Sequence, residues 1–199
     1  KRTQDKIAAY VKQLEGAMRG TLQAVSNMVE IRDPYTAGHE RRVGLIASAI
    51  AKEMGWDEER CSQLELLGLV HDIGVFYLMS RAANFPEFAA DPAELHNLLI
   101  GWHDNIGHAL LSALGQPDSV CTAVQEHETD REVAAVKTLS DVLYVANKIA
   151  NRTSTWRDAE IDGEIDTSML DSIFDAETLA EIVEESEEEV LSLKAALGG

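Results

Sequence analysis

Positive charge is what this sequence lacks most: 17 Lys and Arg stand against 35 Asp and Glu, a formal net charge of −18 over 199 residues. A field of that sign repels a phosphate backbone, which excludes general nucleic-acid binding. Cysteine is scarce too. Cys61 and Cys121 each sit in an apolar helical pattern, so they read as buried free thiols in a reducing compartment rather than as a disulfide scaffold. No apolar run approaches the roughly 18–20 residues that span a bilayer, and the basic start Lys1-Arg2 leads into polar residues instead of a secretory core. These absences describe a soluble, cytoplasmic protein. Alternating apolar and polar runs of strand length are also missing, so the chain reads as all-α.

What is present is helical spacing, with 45% hydrophobic residues to build a core. Ile7, Val11, Leu14, Met18, Leu22, Val25 and Val29 paint one narrow stripe, the pattern of a helical seam. No Met precedes it, so the chain reads as a piece of a longer protein in which residues 1–30 link to an upstream sensor or receiver domain. The same seam offers a homodimer contact, or a face packed on the body of its own chain. Residues 31–155 form the expected core. They include a helix near Gly38–Met54, one capped by Asp57 that runs through His71-Asp72 to close near Gly74, and one opened by Asp91-Pro92-Ala93-Glu94. Another leads from Pro117 to His127, and a last one spans about Arg131–Arg152. Residues 156–199 are a C-terminal helical extension packed on that core, its final helix capped by Asp175. The Arg152–Asp166 stretch, where apolar periodicity fades, is the expected connection. Acidity is concentrated at this end: residues 1–151 hold 14 basic and 21 acidic side chains, residues 152–199 hold 3 and 14. A solvated helix face accounts for the Glu184–Glu189 run, because Ile182, Val183, Val190 and Leu191 keep an apolar stripe beside it.

Chemistry enters where polar groups interrupt apolar faces. His71-Asp72 follows Leu66-Leu67-Gly68-Leu69-Val70, and burial demands partners for both. His39, at the head of its helix, and Asp141, ahead of Val142-Leu143-Tyr144-Val145-Ala146, have the same character. Two imidazoles and two carboxylates make a mixed nitrogen and oxygen set suited to Mn²⁺, Fe²⁺, Zn²⁺ or, less well, Mg²⁺. The competing reading is a buried hydrogen-bond network, which apolar residues would replace at lower cost. Arg41 and Arg42 could meet an anionic substrate or simply form surface ion pairs.

Arg32-Asp33-Pro34-Tyr35-Thr36-Ala37-Gly38-His39-Glu40-Arg41-Arg42-Val43, followed by Gly68-Leu69-Val70-His71-Asp72-Ile73-Gly74, resembles the opening of an HD-superfamily domain of the HD-GYP branch. Glu94, Gly101-Trp102-His103-Asp104-Asn105-Ile106-Gly107-His108, Gln116-Pro117 and the helix from Asp141 resemble the related HDOD output domains. The resemblance covers about residues 28–195. It implies a metal held by His39, His71, Asp72 and Asp141, with Asp72, the residue at the centre of catalysis, shared with a second ion. That ion would take His103 and a His-His pair, which here reads Glu126-His127, making Glu126 a possible additional ligand. His96 and His108 fall outside the pattern. One divalent ion is expected and two are possible.

The resemblance therefore implies a metal-dependent phosphohydrolase, the output domain of a bacterial signalling protein, acting on a phosphodiester or nucleotide phosphate such as a cyclic nucleotide, with Arg42 as a substrate contact. Three departures favour an alternative, a silent HDOD-like interaction module that keeps its metal. Val75 stands where the family has a Lys that could hold a phosphate. Glu128-Thr129-Asp130-Arg131 replaces the Gly-Tyr-Pro motif, and Phe76–Ala90 is rich in Tyr, Phe and Ala where the family has a Pro- and Lys-containing loop.

Overall fold

The computed structural model describes residues 38–151 and 175–196, with the single positions 6, 16 and 20. Every named residue of the Ile7–Val29 stripe, and the Arg152–Asp166 connection, lie outside the described residues. Every regular element that is described is helical, so the fold is all-α.

Helix α1, His39–Glu53, starts from Gly38 at φ 117°, a left-handed conformation that only glycine adopts readily. That turn sets His39 at the first helical position. Val43, Ile46, Ala47, Ile50 and Ala51 are fully buried along its inner face, the stripe expected from spacing. Helix α2, Glu58–Val70, is capped by Asp57, whose carboxylate accepts from the Arg60 amide at 2.9 Å. α1 and α2 cross where Gly44 meets Gly68: a Cβ on Gly68 would collide with the backbone of Gly44. This contact brings His39 and His71, three residues past Gly68, towards one another.

His71 and Asp72 do not continue α2 as the sequence suggested. Asp72 takes φ −93° and ψ 19°, which ends the hydrogen-bond ladder, and its carbonyl accepts from the Val75 amide at 2.9 Å to begin α3, Ile73–Ala82. The redirected chain presses Gly74 onto the backbone at His103 so closely that a Cβ would overlap the His103 carbonyl. The Phe76–Ala90 segment is thus the rest of α3 and a short α4, Pro86–Ala90.

Helix α5, Pro92–Ala113, opens as read, with Asp91 accepting from the Ala93 and Glu94 amides at 3.1 Å each. α6 spans Asp118–Glu126. α7 begins later than expected, covering Leu139–Asn151 rather than starting near Arg131. The reason is a reciprocal cap: Thr138 Oγ1 accepts from the Asp141 amide at 3.1 Å, and Asp141 Oδ2 accepts from the Thr138 amide at 2.9 Å. Val133 and Val136 are buried in the non-helical approach, which explains their helix-like spacing. α8, Ala176–Ala196, is capped by Asp175 through the Thr178 amide at 2.7 Å.

α1 packs against α2, α7 and α8, while α3 lies on α5, α5 on α6 and α6 on α7. Ile46, Ile50, Leu64, Leu111, Val124 and Leu143 fill the centre with no exposed surface. Cys61 and Cys121 are buried and free. Among the described residues no helix is long and apolar enough to cross a membrane.

Candidate metal centre

Four imidazoles form a row against this core. Ring centroids are 5.4 Å apart for His39 and His71, 5.0 Å for His71 and His127, and 5.3 Å for His127 and His103, each pair edge to face. Asp72 stands among them. Its Oδ2 is 3.5 Å from His71 Nε2, and its Oδ1 is 3.3 Å from His127 Nε2 and 3.8 Å from His103 Nε2.

Local helix geometry fixes the rings. His71 Nδ1 lies 2.6 Å from the Gly68 carbonyl, His127 Nδ1 2.6 Å from that of Val124, and His103 Nδ1 2.9 Å from that of Leu99. Carbonyls only accept, so each Nδ1 carries a proton, and a neutral ring held in this way turns a bare Nε2 lone pair inwards. A carboxylate also only accepts. The Nε2 atoms of His71, His103 and His127 and Oδ1 of Asp72 are accordingly buried without a well-formed hydrogen bond. Such an assembly of lone pairs lacks a donor or a cation, and imidazoles anchored through the opposite nitrogen to backbone carbonyls are the arrangement of metal ligands.

The spacing also fits. His39, His71 and Asp72 offer three ligand atoms within 4.8 Å of one another, and Asp72, His103, His127 and Glu128 offer four. Ligands at about 2.0–2.2 Å from a first-row metal stand roughly 3–4 Å apart, as the Asp72–imidazole separations do. Electrostatics follow the same geometry. Burial tends to raise the Asp72 carboxyl, but His71, His127 and His103 overcome it and hold the group well below the usual carboxylate range. Burial pushes His71 down despite the charge of Asp72, so that ring stays neutral. At His127 burial acts downwards too, but the close carboxylates of Asp72, 3.3 Å from its Nε2, and Glu128 prevail and raise it.

Five residues singled out from sequence therefore gather here: His39, His71, Asp72, His103 and His127. Asp141 stands apart from the two groups. Its Oδ2 accepts from the Lys137 and Thr138 amides at 3.0 and 2.9 Å, and its Oδ1 lies 3.4 Å from Arg131 Nη2. Glu126 is turned towards α7, where its Oε2 accepts from Ser140 Oγ at 2.6 Å and Arg131 Nη1 at 2.8 Å. Arg42 is half-buried near the acidic Glu187 of α8. His96 is exposed and His108 half-buried, both outside the groups. Glu128 was missed by the sequence reading. It lies past the end of α6, where helical spacing offers no cue.

Comparison with known proteins matches the HD domain over residues 36–153. The chain belongs to the HD-domain family. A relative is the "Cyclic di-GMP phosphodiesterase" of Thermotoga maritima, 28% identical over 108 residues, which are 54% of this chain and 28% of that protein. The chain thus spans little more than a quarter of that relative's length. HD domains bind divalent metal ions, and the His/Asp cluster of this one is of a kind that holds them.

Proposed function

We propose that this HD domain is a metal-dependent phosphohydrolase output module that cleaves a phosphodiester or nucleotide phosphate. The observation that carries the reading is the set of three buried imidazoles, each with Nδ1 tied to a carbonyl and Nε2 aimed into one cluster around Asp72. His39, His71 and Asp72 hold one ion. Asp141, which lies outside both groups, would join that set through Oδ1, the oxygen not taken by the Lys137 and Thr138 amides. His103 and His127 face a second ion, with Asp72 shared between the two. Bound ions supply Lewis acidity towards a phosphoryl oxygen and acidify water. The chain's own part is to hold the imidazoles by their Nδ1 protons so that Nε2 points into the cluster, to keep Asp72 ionised, and to shield the cluster within the helices.

Cyclic di-GMP, named for the relative, defines the first substrate class to try. The HD-GYP-like motifs and the HDOD-like second half support a signalling context, in which residues 1–30 join the 31–155 core to an upstream domain. Elemental analysis of the purified chain, followed by turnover assays with cyclic dinucleotides and nucleotide phosphates, tests the reading. Bound first-row metal and hydrolysis abolished by Asp72→Ala are expected; a chain that takes up no divalent ion overturns it. The second reading, a silent module, has its own support in Val75, which brings no cation to α3 where the family carries Lys. Full metal content without turnover of any phosphate ester decides for that reading.

A further inference from the structure

We infer that Glu128 is a ligand of the second ion in this chain, and that Glu126, at the position where the HD-GYP pair carries a histidine, anchors α6 to α7 instead. This rests on the proposed metal-dependent reading and goes beyond it in assigning the two glutamates opposite roles.

The two side chains leave the same turn in different directions. Glu126 is the last residue of α6, and its Oε2 receives both the Ser140 hydroxyl and the Arg131 guanidinium. Arg131 also donates from Nη2 to Ser140 Oγ at 2.8 Å and stacks over the Tyr144 ring at 5.2 Å. A carboxylate held by two charge-assisted or short hydrogen bonds on one oxygen has a settled position. Glu128 comes two residues later, inside the turn that the Thr129 amide closes on the Glu126 carbonyl at 3.1 Å. Its Oε2 is 3.4 Å from His103 Nε2 and its Oε1 3.7 Å from His127 Nε2, so both oxygens face imidazole lone pairs that point at the same place. Acceptor facing acceptor is an arrangement that a shared cation relieves. The clamp and the ligand are parts of one device, because Arg131 and Ser140 fix the exit of the turn that carries Glu128.

The exchange has a chemical consequence. With Glu128 the second set is two imidazoles and two carboxylates, where a histidine pair would make it richer in nitrogen. Carboxylate oxygen favours harder ions such as Mn²⁺, and imidazole favours Zn²⁺ and Fe²⁺. The second site of this chain therefore prefers Mn²⁺ more than a nitrogen-rich version of itself does.

The experiment is to load the purified 199-residue chain with Mn²⁺ or Zn²⁺, remove loosely held metal, and count ions by elemental analysis for the wild type, Glu128→Ala, Glu128→His and Glu126→Gln. Melting curves run alongside confirm folding. Two ions in the wild type, one in Glu128→Ala, two in Glu126→Gln at a lower melting temperature, and a shift from Mn²⁺ towards Zn²⁺ in Glu128→His are expected. A wild type with one ion, or a Glu128→Ala variant that keeps two while Glu126→Gln loses one, overturns the assignment yet leaves a metal-dependent domain standing. A wild type with no ion fails the underlying reading itself. Should Glu128→Ala not fold, Glu128→Gln, which keeps the shape and weakens only the ligand, replaces it with the same expected loss.

Discussion

At the scale of single residues, a proton's position decides what the cluster can do. His71, His103 and His127 all spend Nδ1 on a carbonyl of the preceding turn, so their reactive nitrogen is chosen by the helix and not by the ligand. Asp141 has a comparable dependence on its surroundings. Burial tends to raise its carboxyl, but the Thr138 and Lys137 amides and Arg131 outweigh that and hold it below the ordinary value. A depressed carboxyl contributes stability above its unfolded-state pKa, near about 3.9, which is lost as the pH falls through the lower folded value. Asp141→Asn should therefore melt below the wild type from about pH 5 to neutrality, with the gap closing below about pH 4; melting temperatures measured across that range check it. A gap that widens in acid contradicts this account. His39, His71, Asp72, His103 and His127 were legible in the sequence because polar groups on apolar faces need a reason. Glu128 was not, since an acidic residue just beyond a helix looks like any solvated end until the turn is folded.

At the scale of elements, helices meet through glycine at the places that matter to the centre. Gly44 faces Gly68, and Gly74 faces His103 and Gly107, whose own added Cβ would come within 2.9 Å of Val124 Cγ1. Backbone atoms cannot step aside as side-chain tips can, so Gly74→Ala forces α3 away from α5 and costs about 1–3 kcal/mol or more. It should also lower metal content, because His103 moves with that contact. Gly101, exposed on the same helix with nothing within 4 Å of an added Cβ, is the control: Gly101→Ala should stabilise by up to about 1 kcal/mol. Denaturant titration of both variants gives the comparison. The caps at Asp57, Asp91 and Asp175 were readable because cap chemistry is local. The break at His71-Asp72 was hidden, since neither glycine, proline nor a capping side chain marks it, and the bend follows from packing against α5. The late start of α7 was hidden for a related reason: Val133 and Val136 are buried without being helical, and periodicity records burial before it records conformation.

At the scale of the whole molecule, the net charge of −18 attracts divalent cations and the fold concentrates their ligands at one cluster. Binding to the folded chain alone shifts the unfolding equilibrium by mass action, about 2.7 kcal/mol when free metal is 100-fold above Kd. For a chain of this size that is a rise of about 5–10 °C in Tm, so a chelator should lower the melting temperature by that order and added Mn²⁺ or Zn²⁺ restore it. A melting point indifferent to both would contradict a folded-state metal site. The glycine crossings carry one more consequence, for the time the backbone spends open. Where two helices touch backbone to backbone, an amide reaches solvent deuterium only when the helices separate, which is close to global unfolding. Amides of α2 and α3 around Gly68 and Gly74 should thus stay in the slowest exchange class even after metal is stripped, while those of the His127–Thr129 turn speed up, so that the ion enters a frame already standing and tightens only its doorway.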